Sequence, residues 1–577
     1  MSDATKLIIG IDFGTTFSAA SWATTAGRRD VKMVNDWPTP HGKNLNDDQV
    51  PSAIAYDRDG VVTKWGYHVR DQDSDAFQFR WMKILLDPSH KYYKEAPRMM
   101  EMIAALATLG KSAEDVVSDF LKCFWEHTLK TLQRKHEELT QYTLQVVLTV
   151  PAVWSPSAKD KTLKAAIKAG MPEDLQLVTE PETAALAVLK DKSEEDTIDV
   201  GDAFVICDAG GGTVDLISYV VEGLQPLRVK ECVMGDGGLC GAIFLDEEFE
   251  RHIRIRVGRV QYEKLSKRAK ANMRWDFDRG LKRSFEKGAR FKLTVELSGI
   301  ADNEEDGIED ETIIIQYHTM QEIFDSICIK IQALVAKQLS AIGQKGLRAR
   351  MVVLVGGFGE SKYLYHFLDA ANKNAHPDVR VLQDPRAMSA VCRGATLWGL
   401  DQTQPTISRS ITSRISRHSY GISYCYPFDS SVHDEADKYF NESKGEYYAE
   451  GQMKWLLKRG EEIVEGQVLR GYTSAPVQAD IDDSYGPEWF TWDTLLCSEA
   501  ETPPSRRKDP AVKELATALY SIPIKDIRTL SKYSSGGKEW HDVGYSRDIL
   551  CGAARLQFRA MYQGRLIQAT DVAYPEN

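Results

Sequence analysis

The amino-acid sequence predicts an α/β protein built from two related halves and followed by a β-rich C-terminal unit. Three observations support this prediction. Strand-like and helix-like segments alternate over about the first 400 residues, an internal repeat divides that region, and the pattern changes after it. A chain of 577 residues is too long for a single hydrophobic core, so division into several structural units is expected.

Composition restricts the class of protein. Hydrophobic residues make up 43% of the chain and charged residues 27%, as in an ordinary globular protein. The net charge of −12 disfavours nonspecific binding to nucleic acid or to an anionic membrane. No stretch approaches the roughly 18 apolar residues that a membrane span needs, and the N-terminal segment has no signal-peptide core. We therefore expect a cytoplasmic protein, with the nucleus left open, that has neither a membrane span nor a nucleic-acid partner.

The regular elements of the first 400 residues follow from their apolar patterns. Strands are predicted at residues 7–12, 145–150, 204–208 and 351–355. A helix over residues 112–134 is predicted to begin at Ser112, where Asp115 completes a capping box. A second long helix over residues 320–342 places Phe324, Ile327 and Ile331 on one face, which predicts that this face packs against the core.

The internal repeat is the most informative feature of the sequence. Asp12 ends the first strand and is followed by a glycine–threonine turn, and Asp208 ends a later strand that is followed by a second such turn. Each half then contains an acidic-Pro turn; 169 residues separate Asp12 from Pro181 and 177 separate Asp208 from Pro385. Similar parts in the same order predict two lobes, at about residues 1–202 and 203–400, that face a shared cleft.

After about residue 400 the sequence predicts a separate unit over residues 401–577. Tyr420, Ile422, Tyr424 and Tyr426 alternate with other residues, as in a half-buried strand. Leu556 and Phe558 show the same spacing shortly before a Gln-Gly turn at residues 563–564. These segments favour a shortened β-rich domain.

The two turns have the chemistry of a phosphate site. Glycine has no Cβ, so backbone N–H groups can approach phosphate oxygens closely, and a threonine hydroxyl adds a donor. An aspartate at the strand end supplies a negative charge that can hold Mg²⁺, usually through water. The phosphate-binding candidates are Gly14, Thr15, Thr16, Gly211, Gly212 and Thr213, with Asp12 and Asp208 beside them. The sequence has neither a P-loop motif nor a Gly-x-Gly-x-x-Gly motif, so those nucleotide-binding folds have no support.

Six segments of the chain resemble motifs of the seventy-kilodalton heat-shock chaperones. They lie at residues 8–18, 147–170, 177–189, 204–218, 352–362 and 384–399, in the order of that family, and the resemblance covers about residues 5–400. The divergences are similar to those of its member-12-like subfamily. The resemblance implies a two-lobed actin-like ATPase domain, which is a duplicated ribonuclease-H-like fold. It also implies ATP or ADP with Mg²⁺ as ligands, K⁺ as a further candidate ion, and protein clients or co-chaperones as partners.

The resemblance also implies roles for individual residues. Asp12 and Asp208 would hold hydrated Mg²⁺, while Glu180 and Asp215 would order its waters or a monovalent cation. Lys83 would be the catalytic lysine, with Glu180, Asp208 and Thr213 completing the catalytic group. Phosphoryl transfer depends mainly on positioning and charge stabilisation, which a lysine beside the γ-phosphate would provide. Adenine would lie between the basic pair Lys282 and Arg283 and the turn at Gly356 and Gly357.

Two departures from the family pattern bear on the site. Glu182 is an additional residue within the segment after Glu180-Pro181, and the turn at Gly356 lacks the arginine of the family. The sequence predicts a slow Mg²⁺-dependent ATPase with a chaperone-like role. It leaves three alternatives open: a nucleotide-binding scaffold without turnover, an actin-like filament-forming ATPase, and a small-molecule kinase on the same fold.

Overall fold

The computed structural model describes residues 5–26, 29–40, 47–70, 77–87, 97–135, 139–194, 198–288, 293–303, 307–404, 409–464, 466–482, 486–552 and 556–572. The chain divides into two compact units, unit 1 (Met1–Ile411) and unit 2 (Thr412–Asn577). Unit 1 is an α/β structure, and unit 2 consists mainly of strands.

The strands of unit 1 are β1 (Lys6–Phe13), β2 (Phe17–Thr24), β3 (Lys32–Met33), β4 (Val50–Pro51), β5 (Ala53–Tyr56), β6 (Val62–Trp65), β7 (Phe77–Arg80), β8 (Thr143–Val150), β9 (Gln176–Thr179), β10 (Asp202–Ala209), β11 (Val214–Leu224), β12 (Leu227–Gly238), β13 (Leu293–Glu296), β14 (Ile308–Glu309), β15 (Thr312–Ile315), β16 (Arg348–Val355) and β17 (Arg380–Gln383). Its α-helices are Pro97–Leu109, Ala113–Lys135, Pro156–Lys168, Glu180–Glu194, Ile243–Val257, Arg259–Lys264, Lys267–Asp276, Lys282–Ser284, Tyr317–Gln344, Lys362–Ala375 and Ala387–Gln402.

Two sheets of unit 1 share one strand order. The first runs β3-β2-β1-β8-β9, with β4 also paired to β2, and the second includes the path β12-β11-β10-β16-β17. In the first sheet β1 pairs antiparallel with β2 and parallel with β8. In the second sheet β10 pairs antiparallel with β11 and parallel with β16. The repeat that the sequence shows is therefore also a repeat of topology, and it places the ends of β1 and β10 at equivalent positions.

The predicted elements of unit 1 are confirmed with small changes of bounds. The four predicted strands are β1, β8, β10 and β16. The predicted capping box is present, because the backbone N–H of Asp115 donates to Ser112 Oγ at 3.1 Å and the N–H of Ser112 donates to Asp115 Oδ2 at 2.8 Å. In the long helix Tyr317–Gln344, Phe324, Ile327 and Ile331 are buried in the core beside the second sheet.

Smaller sheets and one unusual helical turn complete unit 1. Strands β6-β5-β7 and β13-β15-β14 form two three-stranded antiparallel sheets. A short 3₁₀ helix, Met82–Leu86, follows β7, and a π-helical turn, Phe277–Leu281, leads directly into Lys282–Ser284. Such π-helical turns are frequent at functional sites.

Unit 2 is β-rich, as predicted. Its strands are β18 (Ile411–Ile415), which begins at the boundary, β19 (Ser419–Pro427), β20 (Lys438–Asn441), β21 (Glu446–Leu457), β22 (Glu462–Ile463), β23 (Val468–Gln478), β24 (Glu488–Ser498), β25 (Lys513–Pro523), β26 (Lys532–Ser535), β27 (Lys538–Cys551), β28 (Leu556–Tyr562) and β29 (Arg565–Asp571). A 3₁₀ turn lies at Glu435–Asp437 and an α-helical turn at Ile524–Ile527. One sheet runs β20-β21-β19-β24-β25, and another runs β23-β27-β28-β29 with β26 paired to β27. Ile422 and Phe558 are buried in the hydrophobic core of this unit. No helix among the described residues of either unit is long and apolar enough to cross a bilayer.

Candidate functional site

A cavity of about 320 Å³ in unit 1 is lined by the turns that follow β1 and β10. Most of the site residues that are predicted from the sequence line this cavity, although they come from distant parts of the chain. The nominated residues that line the cavity are Asp12, Gly14, Thr15, Thr16, Lys83, Glu180, Asp208, Gly211, Gly212, Thr213, Lys282, Arg283, Gly356 and Gly357. Asp215 is the nominated residue that does not line it.

The turn after β1 joins two antiparallel strands and is fixed by Ser52. The hydroxyl of Ser52 donates to the carbonyl oxygen of Gly14 at 2.7 Å, and its backbone N–H donates to the carbonyl oxygen of Thr16 at 2.9 Å. These two bonds hold the carbonyl groups of the turn on one side. Ser52 itself also lines the cavity, so it supports the turn from within the site.

The turn after β10 is held by the start of the helix Ile243–Val257. The backbone N–H groups of Gly241, Ala242 and Ile243 donate to the carbonyl oxygens of Gly212, Gly210 and Gly211 at 3.2, 3.1 and 2.9 Å. The carbonyl groups of the turn are thereby occupied by protein donors. An anion approaching this turn would meet its N–H groups and the Thr213 hydroxyl rather than repulsive carbonyl oxygens.

The two turns lie against each other. A Cβ built on Gly211 would lie 2.5 Å from Thr16 Oγ1, and one built on Gly212 would lie 2.6 Å from Thr15 Oγ1. Real Cβ atoms do not make contacts this short, so glycine is required at both positions by the opposite turn. The threonine hydroxyls of one turn and the glycines of the other thus form one continuous wall.

Carboxylates and one lysine occupy the wall beside these turns. Lys83 is 2% exposed, and its Nζ forms an ion pair with Glu180. Asp208 is also buried on this wall, Asp12 is half-buried, and Thr149 Oγ1 donates to Asp12 Oδ1 at 3.2 Å. Lys83 follows Trp81, which adopts a left-handed backbone conformation with φ of 61° at the start of the 3₁₀ helix. A bulky residue rarely adopts that conformation, and such strain is concentrated at functional sites.

The carboxylates of Asp12 and Asp208 lie near other negative charges, which Lys83 does not fully neutralise. Burial, followed by the nearby Glu180 carboxylate, raises the pKa of Asp12 to about 7. Burial and the negative charges of Glu180, Asp215 and Asp12 raise the pKa of Asp208 well above its usual value. Lys83 opposes both shifts without cancelling them. A bound cation would relieve this repulsion.

Asp215 does not line the cavity, although it lies close to residues that do. It is the cross-strand neighbour of Asp208 in the β10–β11 ladder. Its Oδ1 accepts a hydrogen bond from the Val153 backbone N–H at 3.0 Å, while its Oδ2 is buried without a hydrogen-bond partner. Burial and the charge of Glu180 raise the pKa of Asp215 to about 6.

The donor set fits a hydrated cation. Among the described residues, no group of three His, Cys, Asp or Glu side chains is placed to hold a metal ion directly. The carboxylates of Asp12 and Asp208 are hard oxygen donors of the kind that Mg²⁺ prefers, and this ion commonly keeps several of its waters. The carboxylate repulsion and the unpaired oxygen of Asp215 are consistent with such an ion beside β10.

The cavity wall also contains the residues that the sequence predicts to bind the adenine base. Lys282 Nζ is already bound by Asp246, at 2.8 and 2.9 Å, and by Asp278 at 2.6 Å. The exposed Arg283 has no such ion pair among the described contacts. Gly356 has φ of 79°, and a Cβ there would lie 2.4 Å from Asp208 Oδ1, so this turn packs directly on β10.

Sequence reasoning missed several residues of the wall. Asp246 and Asp278 bind Lys282, and Glu360 lines the cavity after Gly356 in the turn that lacks the arginine of the family. Arg98 also lines it and lies 4.5 Å from the centre of the Trp81 ring. Glu360 closely follows the predicted site residues Gly356 and Gly357, so its charge could have marked it as a further candidate site residue. The other three residues lie outside any motif, and only the tertiary structure brings them to the site.

Two family models match the chain, in regions that lie within the two units. A model described as "Hsp70 protein" matches residues 122–395, and one described as "Domain of unknown function (DUF8568)" matches residues 414–531. The first match includes Glu180, the Asp208 turn and the Gly356 turn. It does not include Lys83 or the Asp12 turn; for the Asp12 turn, the equivalent strand order of the two sheets is an independent observation.

Individual relatives agree with the first of these matches. Human heat shock 70 kDa protein 12B is 26% identical over 306 residues, which cover 43% of this chain and 44% of that protein. Mouse heat shock 70 kDa protein 12A is 24% identical over 303 residues, covering 42% and 45%. The Chaperone protein HscA homolog of Laribacter hongkongensis is 31% identical over 223 residues, covering 37% and 32%. The chain spans less than half the length of these curated relatives.

Proposed function

Because the chain is a divergent member of the seventy-kilodalton heat-shock protein family, similar to its 12A and 12B proteins, we propose that it binds ATP with Mg²⁺ in the cavity of unit 1 and hydrolyses it slowly. The Hsp70 match implies an actin-like ATPase fold. The single observation that supports the proposal best is the contact between the two glycine–threonine turns beside buried, mutually repelling carboxylates.

The two turns would bind the phosphate groups. Thr15 and Thr16 offer hydroxyl donors opposite Gly212 and Gly211, and the carbonyl oxygens of both turns are engaged by Ser52 and by residues 241–243. Backbone N–H groups are therefore the groups left to face an anion. Since each half of unit 1 contributes one turn, phosphate binding would draw the two lobes together, as in a hinge closure.

The carboxylates would hold the cation that accompanies the phosphates. Asp12 and Asp208 would bind Mg²⁺ through water, with Glu180 and Asp215 ordering the waters or holding K⁺. When bound, Mg²⁺ neutralises phosphate charge and orients the phosphate groups. Bringing this positive charge to the site would favour the ionised form of Asp12, whose pKa burial raises to about 7. Nucleotide and cation binding are thereby coupled.

Lys83 would stabilise the charge that develops during phosphoryl transfer. Its ammonium group is buried beside Glu180, close to the carboxylates that would hold the cation. A fixed positive charge in a site with little water stabilises such a transition state more strongly than it would in bulk solvent. Glu180 would order the attacking water, and Thr213 would donate its hydroxyl to a phosphate oxygen.

The adenine base of ATP would lie between Arg283 and the Gly356–Gly357 turn. Lys282 contributes less than the sequence predicts, because Asp246 and Asp278 already occupy its ammonium group. We place it as a support for the helical turn that presents Arg283. Burial raises the pKa of Glu360, whose carboxyl group lies on the same wall.

A chaperone-like role, with protein clients or co-chaperones, is the biological part of the proposal. It rests on the family relation and on a nucleotide domain, about residues 1–400, joined to a β-rich domain of about residues 401–577. The name of the bacterial HscA homolog describes a chaperone.

A turnover assay tests this proposal. Wild-type protein should release phosphate slowly from ATP in the presence of Mg²⁺. Lys83→Ala should lower kcat by about 100-fold or more, as loss of a transition-state contact does, with little change in ATP affinity. Lys373→Ala is the matched control, because Lys373 forms only an exposed ion pair with Asp369. Tight binding without turnover in the wild type would instead favour the nucleotide-binding scaffold.

A further inference from the structure

The ammonium group of Lys83 is surrounded by two aromatic rings in addition to its carboxylate partner. Its Nζ lies 5.4 Å from the centre of the Trp154 ring and 5.7 Å from the centre of the Phe13 ring. Both rings are buried, Trp154 with 5% exposure and Phe13 with none. Aromatic faces attract cations at distances up to about 6 Å, and the attraction is strongest where water is excluded.

The backbone fixes Trp154 beside the segment that carries Lys83. On one side of Trp154, the N–H of Val153 donates to Asp215 Oδ1 at 3.0 Å. On the other side, the N–H of Ser155 donates to Asp87 Oδ2 at 3.3 Å, and Asp87 directly follows the 3₁₀ helix that contains Lys83. Ser155 also caps the next helix by accepting from the Ala158 N–H at 3.2 Å. The indole is thus held at a defined place relative to the lysine.

The position of Glu180 indicates why the Lys83 ammonium group needs a second interaction to hold it in place. Its carboxylate is the only ion-pair partner of Lys83 among the described contacts, and it also raises the pKa values of Asp12 and Asp208. Glu180 therefore interacts with Lys83 and with both carboxylates that would hold the cation. If it turns toward a bound cation or its waters, the ammonium group of Lys83 loses its closest negative charge in a buried environment.

We propose that the Trp154 ring, assisted by Phe13, is the positioning element that keeps the Lys83 ammonium group directed at the phosphates when Glu180 is engaged elsewhere. This inference rests on the proposed catalytic role of Lys83. Trp154 acts through Lys83 and does not line the cavity itself. It is therefore a positioning residue rather than a catalytic one.

Trp154 is the ring to change. Phe13 belongs to β1 and packs against Phe120 at 5.9 Å between ring centres, so its replacement would disturb the core. Trp154 lies in the short segment between β8 and the helix Pro156–Lys168. Trp154→Leu removes the aromatic face and keeps an apolar side chain, whereas Trp154→Phe keeps a smaller aromatic face.

The test measures kcat and ATP affinity for wild type, Trp154→Leu, Trp154→Phe, Lys83→Ala and the Lys83→Ala/Trp154→Leu double variant. Trp154→Leu should lower kcat about tenfold and change the Kd for ATP by less than about threefold. Trp154→Phe should restore most of the rate. In the double variant, loss of the ring should add nothing to the loss of the lysine, because the ring acts only through that lysine.

A second measurement separates the cation–π contact from packing. Site-specific replacement of Trp154 by increasingly fluorinated tryptophans withdraws charge from the ring face with little change of shape. The inference predicts that kcat falls stepwise with the number of fluorine atoms, while the melting temperature and its increase with ATP stay constant. This arm remains informative if Trp154→Leu does not fold.

The possible outcomes are distinct. Unchanged kcat in Trp154→Leu, additive losses in the double variant, or a rate insensitive to fluorination would each overturn the positioning role of Trp154. If Lys83→Ala keeps full turnover, or if the wild type has none, the proposed function itself fails. If Lys83→Ala is slow while every Trp154 variant is normal, the proposed function stands and only this inference fails.

Discussion

Thr15 and Gly212 lie so close together that a Cβ on the glycine would be 2.6 Å from the threonine Oγ1. The two residues belong to different sheets of unit 1, on turns that follow equivalent strands. Thr16 and Gly211 form the corresponding pair, at 2.5 Å. The geometry of the proposed phosphate site is therefore a property of both turns together, and neither turn can be enlarged alone.

Gly212→Ala should consequently impair nucleotide binding without unfolding the protein. The added methyl group would push Thr15 away and separate the turns, so we expect the Kd for ATP to rise at least about tenfold, equivalent to about 1.4 kcal/mol. Calorimetric titration measures the affinity, and far-ultraviolet circular dichroism checks the fold. Gly343→Ala is the matched control, because a Cβ at that helical position meets no atom within 4 Å. Equal affinity in Gly212→Ala and wild type would contradict the described contact.

Because the pKa of Asp12 is raised, the stability of the ligand-free protein should depend on pH. The folded protein holds a proton on Asp12 up to a pH of about 7, whereas the unfolded chain releases it near the ordinary value of 3.8. Between these values the folded state binds more protons, so the contribution of Asp12 to stability decreases as the pH rises. Asp208 shifts in the same direction.

Asp12→Asn removes this titration and should raise the melting temperature of the ligand-free protein more at pH 8 than at pH 5. Comparison of variant with wild type at each pH cancels the other titrating groups. Thermal unfolding without Mg²⁺ or nucleotide is the measurement, and Asp378→Asn, on an exposed turn, is the control. If the difference in melting temperature between Asp12→Asn and wild type were the same at both pH values, the raised pKa of Asp12 would be contradicted.

The additional residue Glu182 has a structural partner that predicts its effect. Trp398 Nε1 donates to Glu182 Oε1 at 3.0 Å, between two buried side chains on the helices Ala387–Gln402 and Glu180–Glu194. Glu182→Ala would leave the indole N–H without this acceptor, which should lower the free energy of unfolding by about 1–3 kcal/mol. Glu182→Gln keeps an acceptor and should cost less.

Denaturant unfolding of the full chain measures the Glu182 effect. Glu173→Ala, at an exposed position, is the control for removal of a carboxylate. We expect the Kd for ATP to stay within about twofold in every variant that folds, because Glu182 does not line the cavity. If Glu182→Gln were as unstable as Glu182→Ala, the hydrogen bond to Trp398 would not be the source of the stability.

Local patterns in the sequence were enough to predict the elements that carry the site. Asp12 and Asp208 end apolar strands, and the Ser112 capping box and the long helix Tyr317–Gln344 follow from local spacing that tertiary contacts do not override. The equivalence of the two halves was also visible, because each repeats the same parts in one order. These signals depend only on neighbours in sequence or on a repeat.

The parts that could not be predicted depend on contacts between distant residues. Lys282 is predicted beside the base and stays a prediction, but its ion pair with Asp246, from a helix that no motif marks, could not be predicted. Asp215 is predicted among the metal-binding residues and stays a prediction, but its hydrogen bond from the Val153 N–H joins segments far apart in sequence and had no local signal. The aromatic rings around Lys83 come from β1 and from the segment after β8, which meet only in the folded protein, so spacing along the chain carries no signal for them.

The central claim is that the paired turns and their carboxylates bind ATP together with Mg²⁺, and isothermal titration calorimetry of the full chain tests it most directly. Wild type should bind one ATP per chain in the presence of Mg²⁺ and much less tightly when the metal is chelated. The Asp12→Asn/Asp208→Asn double variant should lose at least about 100-fold in affinity for Mg²⁺-ATP, equivalent to about 2.7 kcal/mol, while Asp378→Asn should bind like wild type. Tight, Mg²⁺-dependent ATP binding that survives the double substitution would contradict the account, because the nucleotide would then bind somewhere other than this cavity.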